Sequence, residues 1–261
     1  MRFQEPRPDG RAIVYAQVQA DPLVARVAAL LVDATTAQRL LARAVMNGES
    51  AQPAAWRAMF PSLFGRQPPL PGDPRRDRSE EILAACLEVA ARGDQARSQL
   101  RGAIVEDLTE RLLALRTGPV RRERRVLFDG VPSEIHPYDV TVERAEAPEA
   151  WDCKWGARGI KSDVLHQLDD ARNHAADEET RLTIGLVVFD ARRSCEVRLV
   201  RERGPIALEG LKLIALEGLD RLAGKRPVAS SPAGSRFRPR RRVRRLGARS
   251  SGPATSTRWT T

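Results

Sequence analysis

From Ser79 to Arg116 apolar residues recur at helical spacing, and at Gly118-Pro119 that rhythm stops and gives way to two-residue alternation. A chain that changes period in this way joins a helix to a sheet. The helical part breaks near Gly93-Asp94, and its second half places Leu100, Ile104, Leu108, Leu112 and Leu115 on one stripe. Beyond the stop, Val126-Leu127-Phe128, the alternation Tyr138/Val140/Val142 and the run Trp151 to Trp155 read as strands, with residues 144 to 149 as a hairpin loop. Ile160 to Ala176 reads as a helix that buries Val164, Leu168, Ala171 and Ala175, and Leu182 to Phe189 as an apolar strand long enough to be central. A last strand at Glu196 to Val200 and a helix near Leu208 to Leu222 complete the expectation. The order is helix, three strands, helix, two strands, helix, which defines an α/β fold.

Upstream, residues 22 to 47 read as one or two amphipathic helices with Asp21 as N-cap and Pro22 at the first helical position, followed by a short helix around Ala54 to Phe64. Gln67-Pro68-Pro69-Leu70-Pro71-Gly72-Asp73-Pro74 reads as a proline-rich linker. It divides the chain into an N-terminal helical region (1–78), a main domain (79–225) and a tail (226–261). The tail has too few apolar residues to offset the entropy of ordering and is expected to be disordered. It also holds ten arginines and no acid, so the net charge of +10 is local, and residues 1 to 225 carry 34 basic against 34 acidic side chains. Arg240, Arg241, Arg242, Arg244 and Arg245 are therefore candidates for a nucleic-acid arm, while charge says nothing about the folded part. Residues 1–78 are expected to contact a partner protein or to complete a homodimer.

Cys86, Cys153 and Cys195 lie far apart with no C-x-x-C pair, which suggests neither a disulfide framework nor a zinc site. The first residues lack the apolar run of a signal peptide, and no stretch of about 18 apolar residues exists to span a bilayer. A cytoplasmic protein without a membrane partner is the expectation.

Forty of the 44 basic residues are arginine; the lysines are Lys154, Lys161, Lys212 and Lys225. A chain that writes arginine by default uses lysine where a compact, tunable charge is needed. Strand alternation puts Lys154 on one face with Asp152, while Trp151, Cys153 and Trp155 point the other way as core residues. Pairing of the two strands through a short hairpin would bring Asp139 beside Asp152, although Asp129, Glu134 and Glu143 are alternatives to Asp139. Two converging carboxylates repel unless a cation lies between them, and hard oxygen ligands suit Mg²⁺, with Mn²⁺ as the alternative ion. Such a cation, with a lysine to orient or deprotonate the attacking water, is what phosphodiester hydrolysis requires.

Pro137-Tyr138-Asp139, twelve intervening residues and Asp152-Cys153-Lys154 resemble the PD-(D/E)xK phosphodiesterases, the superfamily of restriction endonuclease-like folds. Gly102-Ala103-Ile104-Val105-Glu106, Gln167 and the apolar strand 182–189 are similar to that family's neighbouring features, so the likeness covers roughly residues 98 to 200. Two departures are the residue between Pro137 and Asp139 and the use of Asp rather than Glu as second acid. The resemblance implies a central mixed sheet flanked by helices, with Asp139, Asp152 and the backbone carbonyl of Cys153 binding the metal. It further implies that Lys154 serves the nucleophilic water, that Glu106 assists metal or water, and that Gln167 steadies the site or the phosphate. The expectation is a Mg²⁺-dependent nuclease acting on DNA. The alternative is a nucleic-acid-binding or assembly protein that keeps the fold with a weakened site. His136, His166 and His174 read as surface residues.

Overall fold

The computed structural model describes residues 1–6, 10–65, 72–116, 118–132, 136–203 and 211–224. In chain order these form strand β1 (Arg2–Gln4), then helices α1 (Gly10–Gln19), α2 (Pro22–Val32), α3 (Thr36–Asn47), α4 (Pro53–Met59), α5 (Pro61–Phe64), α6 (Pro74–Ala90) and α7 (Asp94–Ala114). Strands β2 (Val120–Phe128), β3 (Val131–Pro132), β4 (Tyr138–Val142) and β5 (Glu149–Lys154) follow. Helix α8 (Ser162–Asp177), strand β6 (Thr183–Val188), helix α9 (Arg192–Arg203), strand β7 (Lys212–Ala215) and a 3-10 turn at Leu216–Arg221 end the order.

Local chemistry starts several of these helices. The Asp21 carboxylate accepts the Leu23 N–H at 2.8 Å ahead of Pro22, as expected for an N-cap followed by proline. Thr35 and Gln38 close a reciprocal capping box on α3. Asp73 caps α6, so that helix begins at Pro74 and residue 79 lies inside it. Gly93 at the next N-cap makes the expected break.

The sheet runs β1-β2-β4-β5-β6-β7, with β3 paired to β2. It is antiparallel from β1 to β5 and parallel from β5 to β7. The parallel crossovers are α8 and α9, because parallel neighbours require a connection that returns to the starting edge. Both faces are covered. Val140, Val142, Trp151, Cys153, Val187 and Phe189 share one core with the residues of α2, α3, α6 and α7. Tyr138, Ala150, Ile184, Leu186 and Val188 share the other with Leu165, Leu168, Ala171 and Ala175 of α8 and Cys195 and Leu199 of α9. Trp151 and Cys153 thus face the first core, and Ala150 and Asp152 the opposite side of β5, as strand alternation requires. Gly185 on β6 leaves room for the Trp151 ring, which would lie 2.5 Å from a Cβ at that position. The described residues cluster as one compact unit, and the three cysteines are buried free thiols. Among the described residues no helix is long and apolar enough to cross a membrane.

Two expectations are overturned at the C-terminal end. Glu196 to Val200 is helical, within α9: Cys195 and Leu199, four apart, are buried, while Val197 and Val200 are exposed. Conversely, the described part of 208–222 opens with strand β7, which extends the parallel sheet, and only then turns into a 3-10 helix. Leu115 also leaves the stripe of α7, being 54% exposed just past the helix end. The stretch 66–71 of the proline-rich segment and the tail, with Arg240, Arg241, Arg242, Arg244 and Arg245, lie outside the described residues.

Candidate active site

The paired register of β4 and β5 ends at Val140↔Trp151. One step further, Asp139 faces Asp152, and here the ladder gives way to a side chain: Asp139 Oδ2 accepts the Cys153 N–H at 2.5 Å. The two strands therefore open around this carboxylate. The N–H and C=O of one strand residue point toward the same neighbour, so the carbonyl of Cys153 looks toward Asp139 as well. On its core side Cys153 Sγ lies 3.5 Å from Thr109 Oγ1 of α7, which tethers the strand to that helix.

Lys154 Nζ lies 2.7 Å from Oδ1 and 2.6 Å from Oδ2 of Asp152. Only Oδ1 accepts from it in hydrogen-bond geometry, so the buried Oδ2 receives no hydrogen bond. The lysine stem is held by the turn that follows: a Cβ on Gly159 would come within 3.1 Å of two of its side-chain carbons. Desolvation works against the ammonium, but Asp152 and Asp139 outweigh it and hold Lys154 above the ordinary lysine range. Burial, the charges of Asp152 and Glu106 push the half-buried Asp139 well above the ordinary carboxylate range, against the pull of Lys154 and the Cys153 N–H.

Glu106 is buried, 4% exposed, although it lies opposite the Leu100–Leu112 stripe. Helix α7 is covered on both sides, by the sheet and by α1 and α2, which is why this second face is not solvated. Tyr15 Oη of α1 donates to Glu106 Oε1 at 2.5 Å, and Gln19 Nε2, one turn later, donates to Oε2 at 2.9 Å. Burial raises Glu106 against these two donors and against Arg122 and Lys154. Gly102, one turn before Glu106, implies that something approaches this face closely. It is the Tyr15 hydroxyl, 3.3 Å from where a Cβ would stand.

A further acid joins from β2. Glu123 Oε1 accepts from the same Gln19 amide at 3.3 Å. Its φ of 51° is a left-handed conformation that costs a non-glycine residue roughly 1 kcal/mol. It sits in the ladder between Arg122↔Val140 and Arg124↔Tyr138. Burial first, then the charge of Glu106, raise it to about 7. Its neighbour Arg122 ties β2 to α7 by pairing with Asp107 and Glu110.

The remaining candidates fall elsewhere. Gln167 Nε2 donates to the backbone carbonyl of His136 at 3.2 Å, so it steadies the approach to Tyr138 rather than touching a carboxylate. Asp129 sits in an exposed turn at φ 47° and Glu143 pairs with Arg124 at 2.7 Å, which leaves Asp139 as the acid opposite Asp152; Glu134 is outside the described residues. Tyr15, Gln19 and Glu123 were not legible as site residues. Gly102 was the one local signal that a partner exists.

Among the described residues, no three His, Cys, Asp or Glu side chains are drawn together at the spacing of a common metal ion. The donor chemistry nevertheless fits a hard cation: carboxylate oxygens on the buried Asp152 and Glu106 and the half-buried Asp139, with burial and mutual repulsion raising Asp139 and burial raising Glu106. Comparison with protein-family models, with curated proteins and with solved structures yields no match.

Proposed function

We propose that this chain is a divalent-cation-dependent nuclease that hydrolyses phosphodiester bonds in DNA, built on a restriction endonuclease-like fold of the PD-(D/E)xK class. The observation that carries the reading is the Asp139 Oδ2 bond to the Cys153 N–H where β4 and β5 cease to pair, with Asp152 and Lys154 on either side of Cys153. The helix α7 glutamate and the change from antiparallel to parallel pairing at β5 support it.

Asp139, Asp152 and the Cys153 carbonyl would hold the cation, with Glu106 assisting. Bound Mg²⁺ or Mn²⁺ neutralises charge on the phosphate and lowers the pKa of a coordinated water. The protein's own part begins with Asp139, which uses one oxygen to fix β5 and so sets the spacing of the two acids. Asp152 would share its carboxylate between the cation and the Lys154 ammonium, which lies 2.6 Å from Oδ2. Lys154, held above the ordinary lysine range, enters as an ammonium. It orients the attacking water or a phosphate oxygen by donating hydrogen bonds, and it does not serve as a proton acceptor while its carboxylate partners are ionised. The arginines 240, 241, 242, 244 and 245 would add sequence-independent contacts to phosphates.

The test is incubation of the full chain with linear, circular and single-stranded DNA and with RNA, in Mg²⁺, Mn²⁺ or EDTA, beside Lys154→Ala and Asp152→Ala. Metal-dependent cleavage by the wild type alone supports the reading. DNA retention without cleavage by all three proteins would instead favour the second reading, a binding or assembly protein with an inactive site. The separation of the acids noted above speaks for that alternative. Removing residues 227–261 separately tests the arm: an unchanged salt dependence of DNA binding rejects it.

A further inference from the structure

We infer that Tyr15 and Gln19 of helix α1 are positioning residues of the site, holding the Glu106 carboxylate in the orientation in which it assists the cation. The inference rests on the nuclease reading for the cation and on geometry for the rest.

Glu106 leaves α7 opposite the Leu100–Leu112 stripe, on the side where Glu110 pairs with Arg122 of β2 and Thr109 meets Cys153 of β5, and is buried there. A buried carboxylate with no fixed partner would be free to choose among rotamers, and would carry a large desolvation penalty. This one has a separate neutral donor on each oxygen, 2.5 Å and 2.9 Å away. Both donors come from one helix, four residues apart, and therefore from one face of it. Neutral donors restrain the group without cancelling its charge, as arginine or lysine would. Each carboxylate oxygen has two lone pairs, so one per oxygen remains for a metal or its water.

Three further observations tie the arrangement to α1 itself rather than to chance contact. Position 102 is glycine, and the Tyr15 hydroxyl lies 3.3 Å from where a Cβ there would stand, a tight approach. The Tyr15 ring packs on the core, so the hydroxyl is aimed by its own buried body. The Gln19 amide uses both N–H groups, one on Glu106 and one on Glu123, and so spaces two acids that repel one another. Outer-shell partners of this kind set the orientation of metal-binding groups, and their loss costs on the order of 10- to 100-fold in metal affinity or activity.

The experiment compares wild type, Tyr15→Phe, Gln19→Met and Glu106→Gln as full chains, with three readouts: Mn²⁺ binding without DNA by electron paramagnetic resonance, DNA cleavage against Mg²⁺ concentration, and thermal unfolding in EDTA. Tyr15→Phe keeps the packed ring and removes only the hydroxyl. Expected are a threefold to thirtyfold loss of Mn²⁺ affinity in each α1 variant and a matching rise in the Mg²⁺ needed for half-maximal cleavage. Maximal rates should largely recover at high Mg²⁺. Unfolding in EDTA should stay within a few degrees of wild type for Tyr15→Phe, whereas a purely structural role would shift it without moving Mn²⁺ affinity.

If Tyr15→Phe and Gln19→Met bind Mn²⁺ like wild type while Glu106→Gln binds more weakly, the positioning role is overturned and the nuclease reading stands. If the α1 variants weaken Mn²⁺ binding but the wild type cleaves no nucleic acid, positioning stands and hydrolysis falls. If no protein in the series binds Mn²⁺, both are overturned.

Discussion

Asp139 and Cys153 are joined across two strands by a hydrogen bond that belongs to neither ladder: the carboxylate Oδ2 accepts the backbone N–H at 2.5 Å just past the last paired residues, Val140 and Trp151. The bond makes one side chain responsible for both strand geometry and chemistry, and the two can be separated by mutation. Asp139→Asn retains an acceptor for the Cys153 N–H and loses the charge. It is expected to unfold in EDTA within a few degrees of wild type and to lose cleavage by a factor of 100 or more. Asp139→Ala additionally orphans a buried donor, at a cost of about 1–3 kcal/mol. Thermal unfolding beside a cleavage assay distinguishes the two, and equal activity of Asp139→Asn and wild type would remove Asp139 from the chemistry.

Lys154 is bound to Asp152 by charge and by a hydrogen bond, at 2.6 Å and 2.7 Å from its two oxygens. Lys154→Ala is expected to lower the maximal cleavage rate by roughly 10²- to 10⁴-fold, the range for a positioned proton-handling or orienting group. DNA affinity should change little. Lys154→Arg should not rescue, because the guanidinium is a planar fork in a space shaped for a compact ammonium beside Gly159. Single-turnover cleavage at saturating enzyme measures this, and full activity in Lys154→Arg would contradict it.

The acids impose a pH dependence on stability. Glu123 titrates at about 7 in the folded chain against an ordinary 4.5, so the native state holds this proton more tightly than the unfolded state. Its contribution is therefore fully present below about pH 4.5 and is lost as pH rises through 7, with Glu106 and Asp139 raised in the same direction. Unfolding in EDTA at pH 5, 6, 7 and 8 should show a midpoint that falls across this window. Glu123→Gln should flatten the fall, and Mn²⁺ should raise the midpoint more at pH 8 than at pH 5. A midpoint that climbs from pH 5 to 8 in EDTA would be the contrary result.

Gly185 tests the fold independently of function. A methyl group there would come within 2.5 Å of the Trp151 ring and 2.6 Å of the Lys212 carbonyl oxygen. Gly185→Ala is expected to destabilise the chain by about 1–3 kcal/mol, as overpacking in a well-filled core does. Denaturant unfolding reads this directly, and a neutral substitution would mean that β6 and β5 are more loosely packed than described.

Local signals carried much of the architecture. Asp21 before Pro22, Gly93 at the helix break and the alternation of Trp151 and Cys153 with Asp152 and Lys154 were readable because each acts within a few residues. The errors have equally local causes. In α9 the exposed Val197 and Val200 imitate the apolar content of a strand, while the buried pair Cys195 and Leu199 alone reveals the helical period. Asp139 and Asp152 could be proposed from the residues, and Glu106 from the resemblance alone. Tyr15 and Gln19 could not, since they meet Glu106 from 91 and 87 residues away and their own helix exposes Ile13 and Val14. Such contacts are set by tertiary packing, which no window of the sequence contains.

The pairing of β1 with β2, in which Arg2 lies opposite Leu127, bears on how the protein is made. Strand β1 can be seated only against a strand more than a hundred positions later, and long-range closures of this kind are slow. Tyr15 and Gln19 lie on the helix that follows β1, and their partner Glu106 stands 91 and 87 positions further on, so these contacts too wait for distant residues.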